Sequence, residues 1–282
     1  MAFNAGRIIM IPRNSGTSID DYTFEDVRKF SKNLSQQEAK DSHAKYYMQK
    51  IEISKELQEA IDAPPMDPTK AFMPHEFGKY MNNSGYCEVE TGYCILPNGV
   101  AYASALLRQE GITDDMIKFF NENFCKTDDL FYKTWFPGAH TKLYRDGCVE
   151  DFGWGDLNMR WGSDVPWENC GMSSETIQKN DPACFCAKLV NSTARRILEN
   201  GFGKLEYNML AKYHRDTEYG REMRIRLWYG INFENGEYKY SVPEGGYSVN
   251  VARCCMSHVI HETSNDTRLI KNFWNEYHDV KM

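Results

Sequence analysis

Val249-Asn250-Val251-Ala252-Arg253-Cys254-Cys255-Met256-Ser257-His258-Val259-Ile260-His261-Glu262 reads as a largely apolar helix, and a helical stretch resumes beyond it through Tyr277. Upstream lie short β-prone segments in succession. Strands followed by one long terminal helix describe an α+β architecture, not alternating βαβ units. A curved antiparallel sheet gripping such a helix encloses a single cavity, which suits a small hydrophobic ligand. Within the helix, His258 and Glu262 are one turn apart and share a face. An imidazole nitrogen beside a carboxylate oxygen can bind a divalent cation, zinc being the usual occupant. The same spacing is common among solvated neighbours, so the pair needs partners from elsewhere in the chain.

The bulk properties narrow the function. At 282 residues the chain can bury a substantial core, as one large domain or a catalytic domain with a smaller accessory one. Its net charge of −7, without a basic run, argues against a protein that tracks a nucleic-acid backbone. The apolar stretch Ile8-Ile9-Met10-Ile11 is too short for a signal peptide, and no segment approaches the length of a membrane span. The expectation is a cytoplasmic protein with no membrane partner. Nine cysteines read as reduced thiols. Neither Cys184-x-Cys186 nor Cys254-Cys255 has the two-residue spacer of a zinc knuckle, and the latter pair falls where a helix face is buried. The aromatic content, 13%, is high enough to line a pocket as well as fill a core.

Along the chain, Thr23 to Phe30 and His43 to Ile51 carry helical signals, and Ala63-Pro64-Pro65-Met66-Asp67-Pro68 interrupts them. This predicts a small helical N-terminal domain, residues 1–79, before a larger domain, residues 80–282. Strands are predicted at Tyr86 to Val89, Gly92 to Leu96 and Val100 to Ser104, the last two joined by a turn at Pro97-Asn98-Gly99. A helix follows from Asp114 to Phe124, acidic in its first turn. Further strands are predicted at Phe185 to Val190, Leu205 to His214, Glu222 to Ile231 and Glu237 to Ser241.

Partners for His258 and Glu262 must face the terminal helix. The larger domain also holds His140, His214, His261 and His278. His140 stands out because it closes Phe131-Tyr132-Lys133-Thr134-Trp135-Phe136-Pro137-Gly138-Ala139-His140, just past a Pro-Gly turn and behind several aromatics.

Four segments in order, Gly92 to Tyr102, Tyr132 to His140, Glu222 to Gly230 and the His258-x3-Glu262 pair, resemble the diacetylphloroglucinol and phloretin hydrolases. The resemblance spans Gly85 to Glu262. It implies a helix-grip fold, similar to the birch-pollen allergen and START-like lipid-transfer folds, with a small helical domain that dimerises. It implies Zn2+ held by two histidines and two glutamates: His140, His258, Glu262 and a glutamate between them. Glu168 keeps the family's Glu-x-x-Gly spacing in Glu168-Asn169-Cys170-Gly171, while Glu150 and Glu175 stay open as alternatives. Tyr132, Tyr229 and His214 fall at family pocket positions, and a ligand glutamate such as Glu168 can double as base. Where the diacetylphloroglucinol enzymes carry an asparagine three residues after the metal histidine, this chain has Leu143, which fits a bulkier apolar acyl arm. The implied reaction is hydrolysis of the carbon–carbon bond between an acyl group and a phloroglucinol ring, with phloretin favoured as substrate. A non-enzymatic carrier of hydrophobic molecules on the same fold, or a metal-dependent ester or amide hydrolase, remain the alternatives.

Overall fold

The computed structural model describes residues 21–47, 50–81, 85–123, 129–144, 148–151, 157–164 and 188–279. They form a mixed helix and sheet structure of the α+β class. Strands β1 (Gly92–Ile95), β2 (Ala101–Glu110), β3 (His140–Leu143), β4 (Cys148–Asp151), β5 (Leu157–Asp164), β6 (Lys188–Leu198), β7 (Gly201–Thr217) and β8 (Gly220–Tyr229) make one sheet. Its order is β1-β2-β8-β7-β6-β5-β4-β3, and every pairing is antiparallel. Strands β9 (Ile231–Glu234) and β10 (Glu237–Tyr240) form a separate hairpin.

The helices are α1 (Phe24–Val27), α2 (Lys55–Asp62), α3 (Phe77–Met81), α4 (Asp114–Asn123), α5 (Asp129–Trp135) and α6 (Val249–Tyr277). The polar stretch after Glu262 does not interrupt α6, contrary to the expected break, because its side chains have distant partners. Asn265 Nδ2 donates to the Thr134 and Trp135 carbonyls, Arg268 to the Tyr46 carbonyl, and Gln109 to Thr267 Oγ1. Tertiary bonds here outweigh weak helix propensity. No helix among the described residues is long and apolar enough to cross a membrane.

Two faces of the sheet have separate work. Alanines 101, 103 and 105 of β2 face inward and let a helix approach closely; with Leu210, Met223, Ile225, Leu227 and Tyr229 they bury Ala252, Cys255, Met256, Val259 and Ile260 of α6. The outer face presents Tyr102, Met209, Tyr213 and Trp228, which are covered by Phe72, Phe77 and Met81 from the N-terminal segment. β8 is therefore buried on both sides. A third cluster joins Leu269, Ile270 and Phe273 of α6 to Ile117 and Phe120 of α4, Phe131 of α5 and Tyr46.

Several local expectations change. Thr23 to Phe30 yields only the single turn α1, and a 3-10 turn occupies Ser42–Tyr46. Tyr86 to Val89 is loop, because Cys87 and Glu90 turn to arginines on the outer face of β8. The expected strand from Glu222 to Ile231 is divided at Gly230, whose φ of +108° favours glycine. Gly99 has φ +82° in the β1–β2 turn, and a Cβ there would sit 2.7 Å from Val242 Cγ1. Cys255 is buried but Cys254 is exposed, since adjacent helical residues point about 100° apart.

Candidate metal centre

Three elements converge beneath α6. His258 and Glu262 project from one turn of that helix, both buried, with His258 Nε2 3.4 Å from Glu262 Oε2. His140 opens β3 directly after α5. The connecting turn is closed by His140 and Ala139 N–H groups donating to the Phe136 carbonyl, and Gly138 supplies the φ of +82° that the reversal requires.

Hairpin pairing then brings a carboxylate across. Asp151 of β4 is the direct cross-strand partner of His140, and its Oδ2 lies 3.6 Å from His140 Nε2 and 3.4 Å from His258 Nε2. The donor atoms of His140, His258 and Glu262 all lie within 4.8 Å of one another. Two imidazoles and the Glu262 carboxylate thus share one buried point, and Asp151 lies against both imidazoles.

Their protonation suits a cation. His140 Nδ1 donates to the Tyr132 carbonyl at 3.0 Å, which leaves the Nε2 lone pair facing Asp151 and His258. Burial pushes the His140 imidazole down to about 4 despite the pull of Asp151 and Glu262, so it is neutral at physiological pH. For Glu262 burial acts the other way, yet Lys212 and His258 outweigh it and hold the carboxyl at about 2. Lys212 Nζ is 3.7 Å from Glu262 Oε1 and 5.5 Å from the Trp135 ring centroid. The donor set, mixed nitrogen and oxygen with its imidazole tautomer fixed, fits a divalent metal such as zinc.

Aromatic rings enclose the point. The Tyr132 ring stacks on His140 and the Phe136 ring packs 4.8 Å from His258. Phe136 also stacks on His261 at 6.0 Å. On that outer side an open cavity of about 520 Å³ is lined by Lys50, Ile51, Glu52, Ile53, Gln58, Phe136, Pro137 and His261. Phe136 is thus the partition between the metal centre and this cavity.

Of the other candidates, Tyr229 lies on the inner face of β8, its hydroxyl donating to Glu206 and its ring set edge-on against Tyr247. His214 is buried on β7 two residues beyond Lys212, opposite Met223. Leu143 is buried in the inner cluster. His278 caps the exposed end of α6 by bonding the Trp274 carbonyl. Glu168 and Glu175 lie outside the described residues, and Glu150 is described by its backbone alone, paired to Lys142. Sequence reasoning missed Asp151, Lys212 and Phe136. Asp146-Gly147, a hairpin signal between two short β-prone runs, could have placed β4 opposite His140.

In comparison with known proteins, the family model described as the DAPG hydrolase PhiG domain matches residues 73–245. No curated protein matches the chain.

Proposed function

The chain belongs to the DAPG hydrolase family, and from that premise we propose that it is a zinc-dependent hydrolase of acylphloroglucinols, with phloretin as its substrate. The observation that carries this reading is the convergence of His140, His258 and Glu262 donor atoms within 4.8 Å. Asp151 lies against both histidines, and Glu168 is the proposed family ligand and base. The helix-grip reading of α6 on its curved sheet belongs to the same proposal, as do a cytoplasmic homodimer and freedom from nucleic acid and membrane.

In this reaction the bond between the acyl carbonyl carbon and the ring carbon breaks. Water's oxygen ends in the carboxylic acid, and the ring leaves as an enolate stabilised by its hydroxyls before it takes up a proton. Zinc, when bound, supplies Lewis acidity for the ketone and brings the pKa of water towards about 7. The protein's own groups do the rest. Lys212 keeps Glu262 ionised, and Tyr132 keeps His140 in the tautomer that offers Nε2 inward. Phe136 and Tyr132 shut bulk water from the reacting atoms. The Tyr132 and Tyr229 hydroxyls orient the substrate oxygens and relay the proton to the ring, with His214 as a further pocket group. Buried Leu143 favours an apolar acyl arm over a short acetyl group.

The test is incubation of the purified protein with phloretin and chromatography for phloroglucinol and phloretic acid, with and without a chelator. Products that appear only with metal support the reading. Bound phloretin without products would point to a carrier.

A further inference from the structure

The inner face of the sheet carries a polar side chain that the metal centre does not use. Alternation along β7 puts Asn208 on the side of Leu210 and Lys212, under α6, while Met209, Ala211 and Tyr213 point to the outer face. Asn208 is buried, 2% exposed, and its direct cross-strand partners are Tyr229 on β8 and Ser192 on β6. The Tyr229 hydroxyl donates to Glu206, the neighbouring inner-face residue of β7, and Arg196 Nε lies 3.6 Å from the same carboxylate. Neither Oδ1 nor Nδ2 of Asn208 has a hydrogen-bond partner among the described residues. Asn191, Asn232 and Asn265 are as deeply buried, and each is bonded.

A buried amide with both ends unmet is costly, and a leucine of the same branched shape would line an apolar face without that cost. Folding alone therefore does not account for Asn208. Its position points to a ligand instead. Lys212, whose ammonium lies against Glu262, is four residues along the same strand, about 13 Å away. Side chains reaching inward from both ends shorten that gap to the span of a two-ring ketone held by its carbonyl at the metal centre. Nδ2 donates and Oδ1 accepts, and the Tyr229 oxygen, its proton directed to Glu206, accepts as well. A hydroxyl both donates and accepts, so it is complementary to this set. A carboxylate only accepts and would leave Oδ1 unmet.

We infer, on the acylphloroglucinol reading above, that Asn208 is a specificity-determining residue that receives a phenolic hydroxyl of the bound substrate beside the Tyr229 oxygen. Two hydroxyls of phloretin have this chemistry: the ring hydroxyl para to the acyl group, and the phenol that ends the acyl arm. Either one meets the buried amide only in the complex, so a ketone lacking that hydroxyl leaves the amide unmet and is discriminated against. The competing occupant is a buried water, which would satisfy the amide without reading the substrate.

The full-length zinc-loaded wild type and Asn208→Leu are compared by kcat/KM on phloretin, on its analogue without the hydroxyl of the arm, and on its analogue without the ring hydroxyl para to the acyl group. The ratio of the two proteins on each ketone cancels that ketone's own reactivity. On phloretin the variant should lose about tenfold to a hundredfold. On the analogue that lacks the hydroxyl read by Asn208 the two proteins should agree within about threefold, which identifies the hydroxyl. Asn208→Ala, which cannot overpack the face, should give the same pattern. Without substrate, Asn208→Leu should melt no more than about 3 °C below the wild type, because no bond within the protein is lost. An unchanged kcat/KM on phloretin, an equal loss on all three ketones, or a larger fall in melting temperature overturns the proposal. A wild type that cleaves none of the three ketones fails the acylphloroglucinol reading and this proposal together, whereas cleavage at equal rates by both proteins fails this proposal alone.

Discussion

The ring of Tyr132 lies flat on that of His140, 3.9 Å between centroids and 2° from parallel, while the Tyr132 carbonyl accepts the His140 Nδ1 proton at 3.0 Å. One residue thus fixes both the tilt and the tautomer of a candidate ligand from eight positions upstream. Ring and hydroxyl can be separated by substitution. Tyr132→Phe keeps the stack and the carbonyl, so metal content should be unchanged while hydrolysis of phloretin slows on the order of a hundredfold through loss of the substrate contact. Tyr132→Ala removes the stack, and zinc affinity should fall on the order of tenfold, as for other outer-sphere supports of a metal histidine. Unchanged turnover in the first variant, or unchanged affinity in the second, would separate Tyr132 from the site.

His258→Ala or Glu262→Ala should abolish both bound zinc and hydrolysis without unfolding the chain. Asp151→Asn, which keeps the volume and the hairpin, is expected to lower zinc affinity tenfold to a hundredfold. Metal analysis of the three purified variants decides the assignment. Full occupancy in the alanine variants would sink it, and full affinity in Asp151→Asn would leave Asp151 outside the site.

Lys212 sits 3.7 Å from Glu262 and opposes any cation bound there. It stabilises Glu262 in the metal-free protein and repels a divalent ion in the loaded one. Lys212→Met should therefore bind zinc several-fold more tightly in chelator competition, while the metal-free variant becomes less stable by about 1–3 kcal/mol. Weaker zinc binding would show instead that Lys212 positions the carboxylate.

How far this was legible from sequence depends on whether the deciding partner is near in the chain. The apolar run of α6, the Asn-Gly turn before β2 and the one-turn spacing of His258 and Glu262 are local, and the structure has the same features. The continuation of α6 past Glu262 was not legible, because Asn265 and Arg268 bond backbone 130 and 222 residues away. The loop at Tyr86 to Val89 was hidden for a similar reason, since Glu90 and Cys87 bind arginines more than 130 residues on. Asp151 depended on register: a slip of one residue in the β3–β4 hairpin would have presented Glu150 to His140 instead.

Asn265 links the terminal helix to the turn that carries His140. Its Nδ2 group donates to both Thr134 and Trp135 carbonyls, at 2.9 and 2.7 Å, at the C-terminus of α5. Those carbonyls have lost their intrahelical donors. Asn265→Ala leaves them buried and unsatisfied, and should destabilise the fold by about 2 kcal/mol in chemical denaturation. A loss below about 0.5 kcal/mol would mean that water or another donor replaces the amide.

The outer-face pairing of Glu90 with Arg224 and Arg226 gives a stability that depends on pH in a defined window. The two guanidiniums hold the folded carboxyl at about 2 against an ordinary value of 4.5. A depressed carboxyl stabilises the folded state fully above the unfolded value and loses that contribution as pH falls through the folded one. The contribution at pH 7, on the order of 2–3 kcal/mol, should therefore decline from about pH 4.5 towards pH 2. Glu90→Gln removes it at every pH. Denaturation of both proteins at pH 7 and pH 3.5 should show a gap that narrows at the lower pH, because the wild type alone loses stability from this group. A gap of equal size at both values would mean that Glu90 contributes by packing and neutral hydrogen bonding, with its charge irrelevant.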